Sequence, residues 1–160
     1  MHMTGVNGVC YMTRLELSPE AQEALAGGCY CLAARRLARR ITRLYDEKLV
    51  GCDLTISQFG QLLLIAENPE ITVQDLADAF DLNQSALSRG LQPMQTKGWI
   101  SSRSHSVDKR KRILSLTTDG LAQVNKASAL WKEAQEEMES QNSDQNLVGL
   151  AREMTELKFR

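Results

Sequence analysis

The chain has 160 residues, 42% hydrophobic and 24% charged, with 19 Lys and Arg against 20 Asp and Glu. A chain of this length makes one ordinary domain that buries roughly 68–70% of its unfolded surface, so its core needs neither disulfides nor a structural metal. The formal net charge of −1, taken whole, argues against a strongly basic nucleic-acid binder and against a surface that clings to anionic membranes.

Ten Gly and three Pro, with no repeat or low-complexity tract, leave no place for a solenoid or long disorder. The longest aliphatic run, Leu62 to Ala66, falls far short of the ~20 apolar residues that span a bilayer. The first residues lack the basic, apolar and small-residue pattern of a secretory signal, so the expected compartment is the cytoplasm. Residues 1–17 are expected to form a flexible N-terminus.

Nearly everything after residue 18 reads as helix. Ser18-Pro19-Glu20 starts a short segment, with a capping hydroxyl followed by proline at the first helical position, and Gly27-Gly28 ends or bends it. A longer helix is expected from Cys29 to about Val50. On it Leu37, Ile41, Leu44 or Tyr45, and Leu49 share one face, while Arg35, Arg36, Arg39, Arg40 and Arg43 lie on the other. After Gly51-Cys52-Asp53, Thr55-Ile56-Ser57-Gln58 opens a second helix that ends before Pro69.

Thr72 can cap a helix Val73 to Phe80, with Asp75 in its positive first turn. The connection Asp81-Leu82 is short. Asn83 can then cap a helix Gln84 to Lys97 that Gly98 terminates. Two short helices joined so tightly form a helix-turn-helix. In the second, Leu87, Leu91 and Met94 share a face, and Gln84, Ser85, Ser88, Arg89 and Gln92 fall largely opposite. Pro93 lacks the N–H that would bond back to Arg89, so a kink is expected there.

Trp99–Arg103 and Ile113–Thr117 read as two short strands, with Asp108-Lys109-Arg110-Lys111-Arg112 near the tip between them. A basic hairpin after a helix-turn-helix is a winged helix. Thr118-Asp119-Gly120 starts a long helix to about Ser140, with Leu121, Val124, Leu130 or Trp131, and Met138 at helical spacing. A last helix carries Leu147, Leu150, Ala151, Met154 and Leu157 on one face. The fold expected is mainly α: a winged helix-turn-helix lobe over 51–118 with a small β-hairpin wing, and N- and C-terminal dimerisation helices over 18–50 and 119–160. Both ends hold more apolar surface than one chain can cover, and a homodimer accounts for it.

Charge read by segment reverses the first impression. Residues 84–117 hold seven basic groups and one acidic group, giving +6, while residues 49–83 hold six carboxylates and no Lys or Arg, giving −6. Two adjacent segments cancel, and the −1 conceals a concentrated positive surface.

The sequence resembles the multiple antibiotic resistance regulator (MarR) family of bacterial transcription factors over roughly residues 29–157. The resemblance rests on Leu44-Tyr45-Asp46, Thr55-Ile56-Ser57-Gln58-Phe59, Ile71-Thr72-Val73-Gln74-Asp75-Leu76-Ala77, Ser85 through Met94, Lys97-Gly98-Trp99-Ile100, Asp108-Lys109-Arg110 and Leu116-Thr117. It implies an obligate dimer on a pseudo-palindromic operator of double-stranded DNA, usually as a repressor. It makes Gln84 to Lys97 the recognition helix and Asp108 to Arg112 the wing tip. Gln and Arg make bidentate contacts to adenine and guanine in the major groove, and Ser serves either base. Thus Gln84, Ser85, Ser88, Arg89 and Gln92 are candidate base readers, Arg89 first among them. The resemblance places Arg110 in the minor groove and has Asp108 brace the wing by pairing with an arginine. Lys97, Arg103, Lys109, Lys111 and Arg112 are then the expected phosphate contacts.

The remaining chemistry is sparse. Cys10, Cys29, Cys31 and Cys52 lie in the first third and are expected to be reduced in a cytoplasmic protein. Within a regular helix Cys29 and Cys31 point about 200° apart, so they could neither grip one metal nor close a relaxed disulfide. Three readings of the pair stay open: small buried residues at a dimer interface, a redox-sensing thiol near the helix start as in the family's organic hydroperoxide regulators, and soft-metal binding. The resemblance also implies a small anionic aromatic effector, for which Arg36, Arg40 and Arg43 are the candidate partners. With only His2 and His105, paired-histidine zinc sites are unsupported, and no cofactor is called for. An enzyme is disfavoured because no phosphate loop, Ser-His-Asp set or Cys-His pair can be drawn. A winged helix used only for protein contacts would carry a neutral or acidic wing, unlike this one.

Overall fold

Capping side chains decide where the helices begin. The computed structural model describes residues 16–158, so Cys10 and residues 1–15 of the expected flexible N-terminus lie outside the described residues. The elements are α1 (Pro19–Glu23), a widened turn over Ala24–Gly28, α2 (Tyr30–Leu49), α3 (Ile56–Glu67), α4 (Val73–Ala79), α5 (Gln84–Thr96), β1 (Ile100–Ser104), β2 (Arg112–Leu116), α6 (Thr118–Gln141) and α7 (Leu147–Thr155). The chain divides into two compact units, one up to Arg39 and one from Arg40 onward.

In the first unit, the Ser18 hydroxyl accepts the Ala21 N–H at 3.3 Å, and Pro19 stands at the first helical position, where no N–H is needed. Gly27 at φ +107° breaks the helical run. Cys29 is extended (φ −89°, ψ 103°), and its carbonyl accepts the Ala33 N–H at 3.0 Å. The helix expected to begin with Cys29 therefore begins at Tyr30, and Cys29 precedes it as a capping residue. None of the described residues of this unit is buried; Leu25 and Tyr30 are 78% and 91% exposed.

The second unit holds the core. From α2 it takes Tyr45 and Leu49, while Ile41 and Leu44 of the expected apolar face are only half-buried. Helix α3 opens with a capping box between Thr55 and Gln58, and α4 with another between Thr72 and Asp75. Asp75 accepts both the Thr72 N–H (3.0 Å) and the Thr72 hydroxyl (2.7 Å). These bonds, the hydroxyl's first, hold its carboxyl below the usual carboxylate range, with Lys111 adding a smaller push in the same direction.

Helix α4 stops in a left-handed cap. Asp81 has φ +50°, its N–H reaches the Asp78 carbonyl (3.1 Å), and the Leu82 N–H reaches Ala77 (2.9 Å), the paired bonds of a Schellman motif. Two residues after Asp81, the Asn83 side chain accepts the Ala86 N–H at 2.7 Å and starts α5. Leu87, Leu91 and Met94 of α5 are completely buried among Leu62, Ile65, Leu76 and Leu114. Pro93 lies inside α5, which continues past it to Thr96, and the Lys97 N–H donates to the Pro93 carbonyl at 3.0 Å.

At its far end α5 closes with a second Schellman pair, Gly98 to Gln95 (3.0 Å) and Trp99 to Met94 (2.9 Å), with Gly98 at φ +72°, a conformation that disfavours any side chain. Strands β1 and β2 follow as an antiparallel hairpin, Ile100 opposite Leu116 and Ser104 opposite Arg112. The first strand lies one residue later than expected and the second one earlier, because the Trp99 N–H is taken by the helix cap and Thr117 caps α6. The Thr117 hydroxyl accepts the Gly120 N–H (3.0 Å) and lies 2.7 Å from the Gly98 carbonyl, while the Thr117 N–H donates to Trp99 (3.0 Å). A methyl group on Gly120 would collide with the Trp99 carbonyl oxygen.

Helix α6 buries Val124, Ala127 and Ala134. Of the expected stripe, Val124 is buried and Leu130 packs against the core, while Leu121 is 49% exposed; Trp131, tilted beside Phe59, is 37% exposed. Helix α7 buries nothing. Among the described residues, no single helix is long and apolar enough to cross a membrane.

Candidate nucleic-acid interface

Gln84, Ser85, Ser88, Arg89 and Gln92 are all exposed. The reason is periodicity: with Leu87, Leu91 and Met94 turned inward, the polar positions of α5 must face out. Asn83 and the first turn leave the helix N-terminus, with its free N–H groups, on the same open side. An exposed row of short amides and hydroxyls with one arginine has the donor and acceptor chemistry that base edges require.

The wing is cationic, but its charges are not equally free. Lys97 binds the Asp53 carboxylate at 2.5 Å and the Asp53 carbonyl at 3.2 Å, and its ammonium lies 4.5 Å from the centre of the Trp99 ring. Arg103 pairs with Glu70 at 2.5 Å. The Arg112 guanidinium donates to the Ser102 hydroxyl at 2.6 Å. These three expected phosphate contacts thus have partners within the chain, set by residues 10 to 44 positions away that a linear reading does not bring together. Lys109 and Lys111 are exposed, and among the described residues neither forms an ion pair.

Asp108 and Arg110 come together at the tip. The Asp108 carboxylate accepts the Arg110 backbone N–H at 3.1 Å and the guanidinium Nε at 3.3 Å. The arginine that Asp108 holds is therefore Arg110 itself, whose side chain is 94% exposed. The turn also uses a residue that the sequence left without a role: His105 Nδ1 accepts the N–H groups of Val107 (3.1 Å) and Asp108 (3.2 Å). The signal available in the sequence was a side-chain acceptor two and three residues ahead of the amides it serves, a spacing familiar from Asn and Asp turns.

The other candidates lie elsewhere. Cys29 is partly exposed, Cys31 is exposed in the first turn of α2, and Cys52 is buried; all three are free thiols. Since Cys29 precedes the helix, the opposed directions that a regular helix would impose on Cys29 and Cys31 do not apply. Arg36, Arg40 and Arg43 are exposed, and among the described residues none forms an ion pair. No group of three or more His, Cys, Asp and Glu able to hold a metal occurs among the described residues. An open crevice of about 190 Å³ between α5 and the hairpin is lined by Val73, Ser88, Leu91, Gln95, Ser102 and Arg112. A larger one of about 460 Å³ lies beside Asp46, Leu54, Pro93 and Lys97.

Comparison with known proteins bears on the same region. The MarR family profile matches residues 53–111. The chain is 30% identical over 99 residues to the organic hydroperoxide resistance transcriptional regulator of Bacillus subtilis, covering 62% of this chain and 66% of that protein. It is 35% identical over 80 residues to the multiple antibiotic resistance protein MarR of Escherichia coli, covering 50% of this chain and 56% of that protein. The matched region thus spans less than two-thirds of these relatives. The structure is similar to that of the Mycobacterium tuberculosis transcriptional regulator MosR in complex with DNA, at 29% identity and a TM-score of 0.64, over 81% of this chain and 99% of that one.

Proposed function

Since the chain belongs to the MarR family of transcriptional regulators, we propose that it is a homodimeric, sequence-specific DNA-binding repressor of the bacterial cytoplasm. The observation that carries the reading is the exposed face of α5, where Gln84, Ser85, Ser88, Arg89 and Gln92 stand free of the core beside a wing that brings residues 84–117 to +6. In this reading α5 enters the major groove, Arg110 the adjoining minor groove, and Lys109 and Lys111 meet phosphates. Dimerisation covers the apolar side chains left exposed on α7, Val148, Leu150 and Met154, and just after it, Leu157, and presents two reading heads to a pseudo-palindrome.

Duplex fragments flanking the protein's own gene provide the test. Arg89→Ala should weaken binding and relax sequence preference, at a cost of about 1–3 kcal/mol. Lys109→Ala should weaken all duplexes alike and flatten the salt dependence by about one unit of slope. If Arg89→Ala and Arg110→Ala bind every fragment as the parent does, and affinity hardly changes between about 50 and 200 mM salt, the reading is wrong.

A second reading concerns the signal. Cys31 is exposed and Cys29 lies outside the helix, so the two thiols are accessible and close in sequence. In this reading they lose two protons and two electrons to form one S–S bond, while a hydroperoxide ROOH is reduced to ROH and water. Peroxide titration of the operator complex decides it: release should disappear in both Cys29→Ser and Cys31→Ser, and release that persists in both excludes it.

A further inference from the structure

We infer that His105 is a pH-responsive positioning residue of the wing, holding the tip that presents Arg110 only while its ring is neutral; the inference rests on the DNA-binding reading above. Its lone pair on Nδ1 accepts two consecutive backbone donors, Val107 at 3.1 Å and Asp108 at 3.2 Å. That role is open only to an unprotonated Nδ1, with the ring proton on Nε2. The rest of the tip is built outward from these two bonds. The His105 N–H donates to the Lys111 carbonyl (3.0 Å), and the Lys111 N–H returns to the Asp108 carbonyl (2.9 Å). Asp108, held by the ring through its own N–H, then binds the backbone and guanidinium of Arg110.

An imidazolium has two donors and no acceptor. Once Nδ1 carries a proton, the amides of Val107 and Asp108 face a donor, and both bonds are lost. Among the described residues, the Val107 and Asp108 N–H groups have no acceptor besides His105 Nδ1. Asp108, the single carboxylate of residues 84–117, is engaged by Arg110; Lys109, Arg110 and Lys111 on the tip and Arg103 and Arg112 on the strands are cations. Beyond the hairpin, Glu70 is paired with Arg103, and Asp75 is held by Thr72 and feels Lys111. The added positive charge strengthens attraction to any duplex alike, so the loss shows in the ratio of operator to random affinity.

The full-length protein tests this as wild type, His105→Asn and His105→Ala, from about pH 7.5 down to about pH 5. Asn offers a carbonyl acceptor to the amides two and three residues on and does not titrate. In wild type the backbone amide resonances of Val107 and Asp108 should move with the His105 ring resonance, and the operator-to-random ratio should fall about five- to ten-fold toward acid pH, the loss of one specific contact. In His105→Asn both should stay flat at the neutral-pH value, and in His105→Ala the ratio should be low throughout. Amides that ignore the ring, a ratio that does not change with pH, or a His105→Asn variant that titrates like wild type would each overturn the inference. Failure of the wild type to prefer operator at pH 7.5 defeats the DNA-binding reading instead; the amide titration, which needs no DNA, keeps the two failures apart.

Discussion

Helices α5 and α7 begin in the same way and end in opposite surroundings. Each is capped by an asparagine, Asn83 accepting the Ala86 N–H at 2.7 Å and Asn146 accepting the Gly149 N–H at 3.0 Å. Each carries apolar residues at helical spacing. Yet Leu87, Leu91 and Met94 are at most 1% exposed, whereas Val148, Leu150 and Met154 are 77%, 46% and 43% exposed. The difference separates two kinds of information. A cap and an amphipathic pattern are local and suffice to place a helix; what covers its apolar face is set by elements far away in the chain, or by another chain altogether.

The sharpest test of that contrast is truncation of the two apolar faces. Leu87→Ala should cost about 2–5 kcal/mol in urea unfolding, because the surrounding core cannot collapse into the space. Leu150→Ala should cost only about 0.5 kcal/mol in dilute solution and act chiefly by weakening self-association in sedimentation experiments. An equal, concentration-independent loss at both positions would break the comparison. Gly120→Ala should destabilise by about 1–3 kcal/mol, since the new methyl group meets the Trp99 carbonyl at the junction that supports α5. Removing the caps is a milder change: Asn83→Ala should cost about 1 kcal/mol, with Asn146→Ala expected to show its loss mainly in dimer formation.

The smallest effect concerns acid. Hydrogen bonds from Thr72 keep the Asp75 carboxyl below its ordinary range in the folded protein. A group lowered on folding contributes stability that is complete above its unfolded value, about pH 4, and is lost as pH falls through the folded value. The acid limb of the stability curve should therefore flatten in Asp75→Asn, as read by thermal melts between about pH 2 and 5, a range spanning carboxylate titration. Helix α7 has no acid in its first turn, so its cap supplies no such limb.

What the sequence made legible follows the same division. Thr55, Thr72 and Asn83 announce helix starts because a cap is a relation over three residues, and the structure completes two of them as full capping boxes. The helix-turn-helix, the hairpin and the outward face of α5 come from periodicity and are equally local. The partners of the charged groups were not legible. Lys97 and Arg103 read as phosphate contacts because nothing in a linear pattern brings Asp53, 44 residues away, to one and Glu70, 33 residues away, to the other. One member of the α6 stripe, Leu121, was misplaced for a related reason. Small residues, Ala127 and Ala134, are buried against neighbouring elements, while Leu121 is left outside. His105 was overlooked because imidazole suggests metals or catalysis before it suggests a backbone acceptor.

The junction at Gly98, Trp99 and Thr117 has a consequence for spacing along a duplex. Trp99 is fixed through its N–H to α5 and through its carbonyl to Thr117, so no slack residue separates the end of that helix from the base of the hairpin. Helix and wing are joined directly, with no spacer between them. For the DNA reading proposed above, the separation between major-groove and flanking minor-groove determinants in a half-site is then constant. One base pair inserted between them shifts the flank by about 3.4 Å and turns it by roughly 35° about the axis, a displacement for which this junction holds no spacer residue. Operators are accordingly expected to vary in the identity of their flanking bases far more readily than in the number that separates the two determinants.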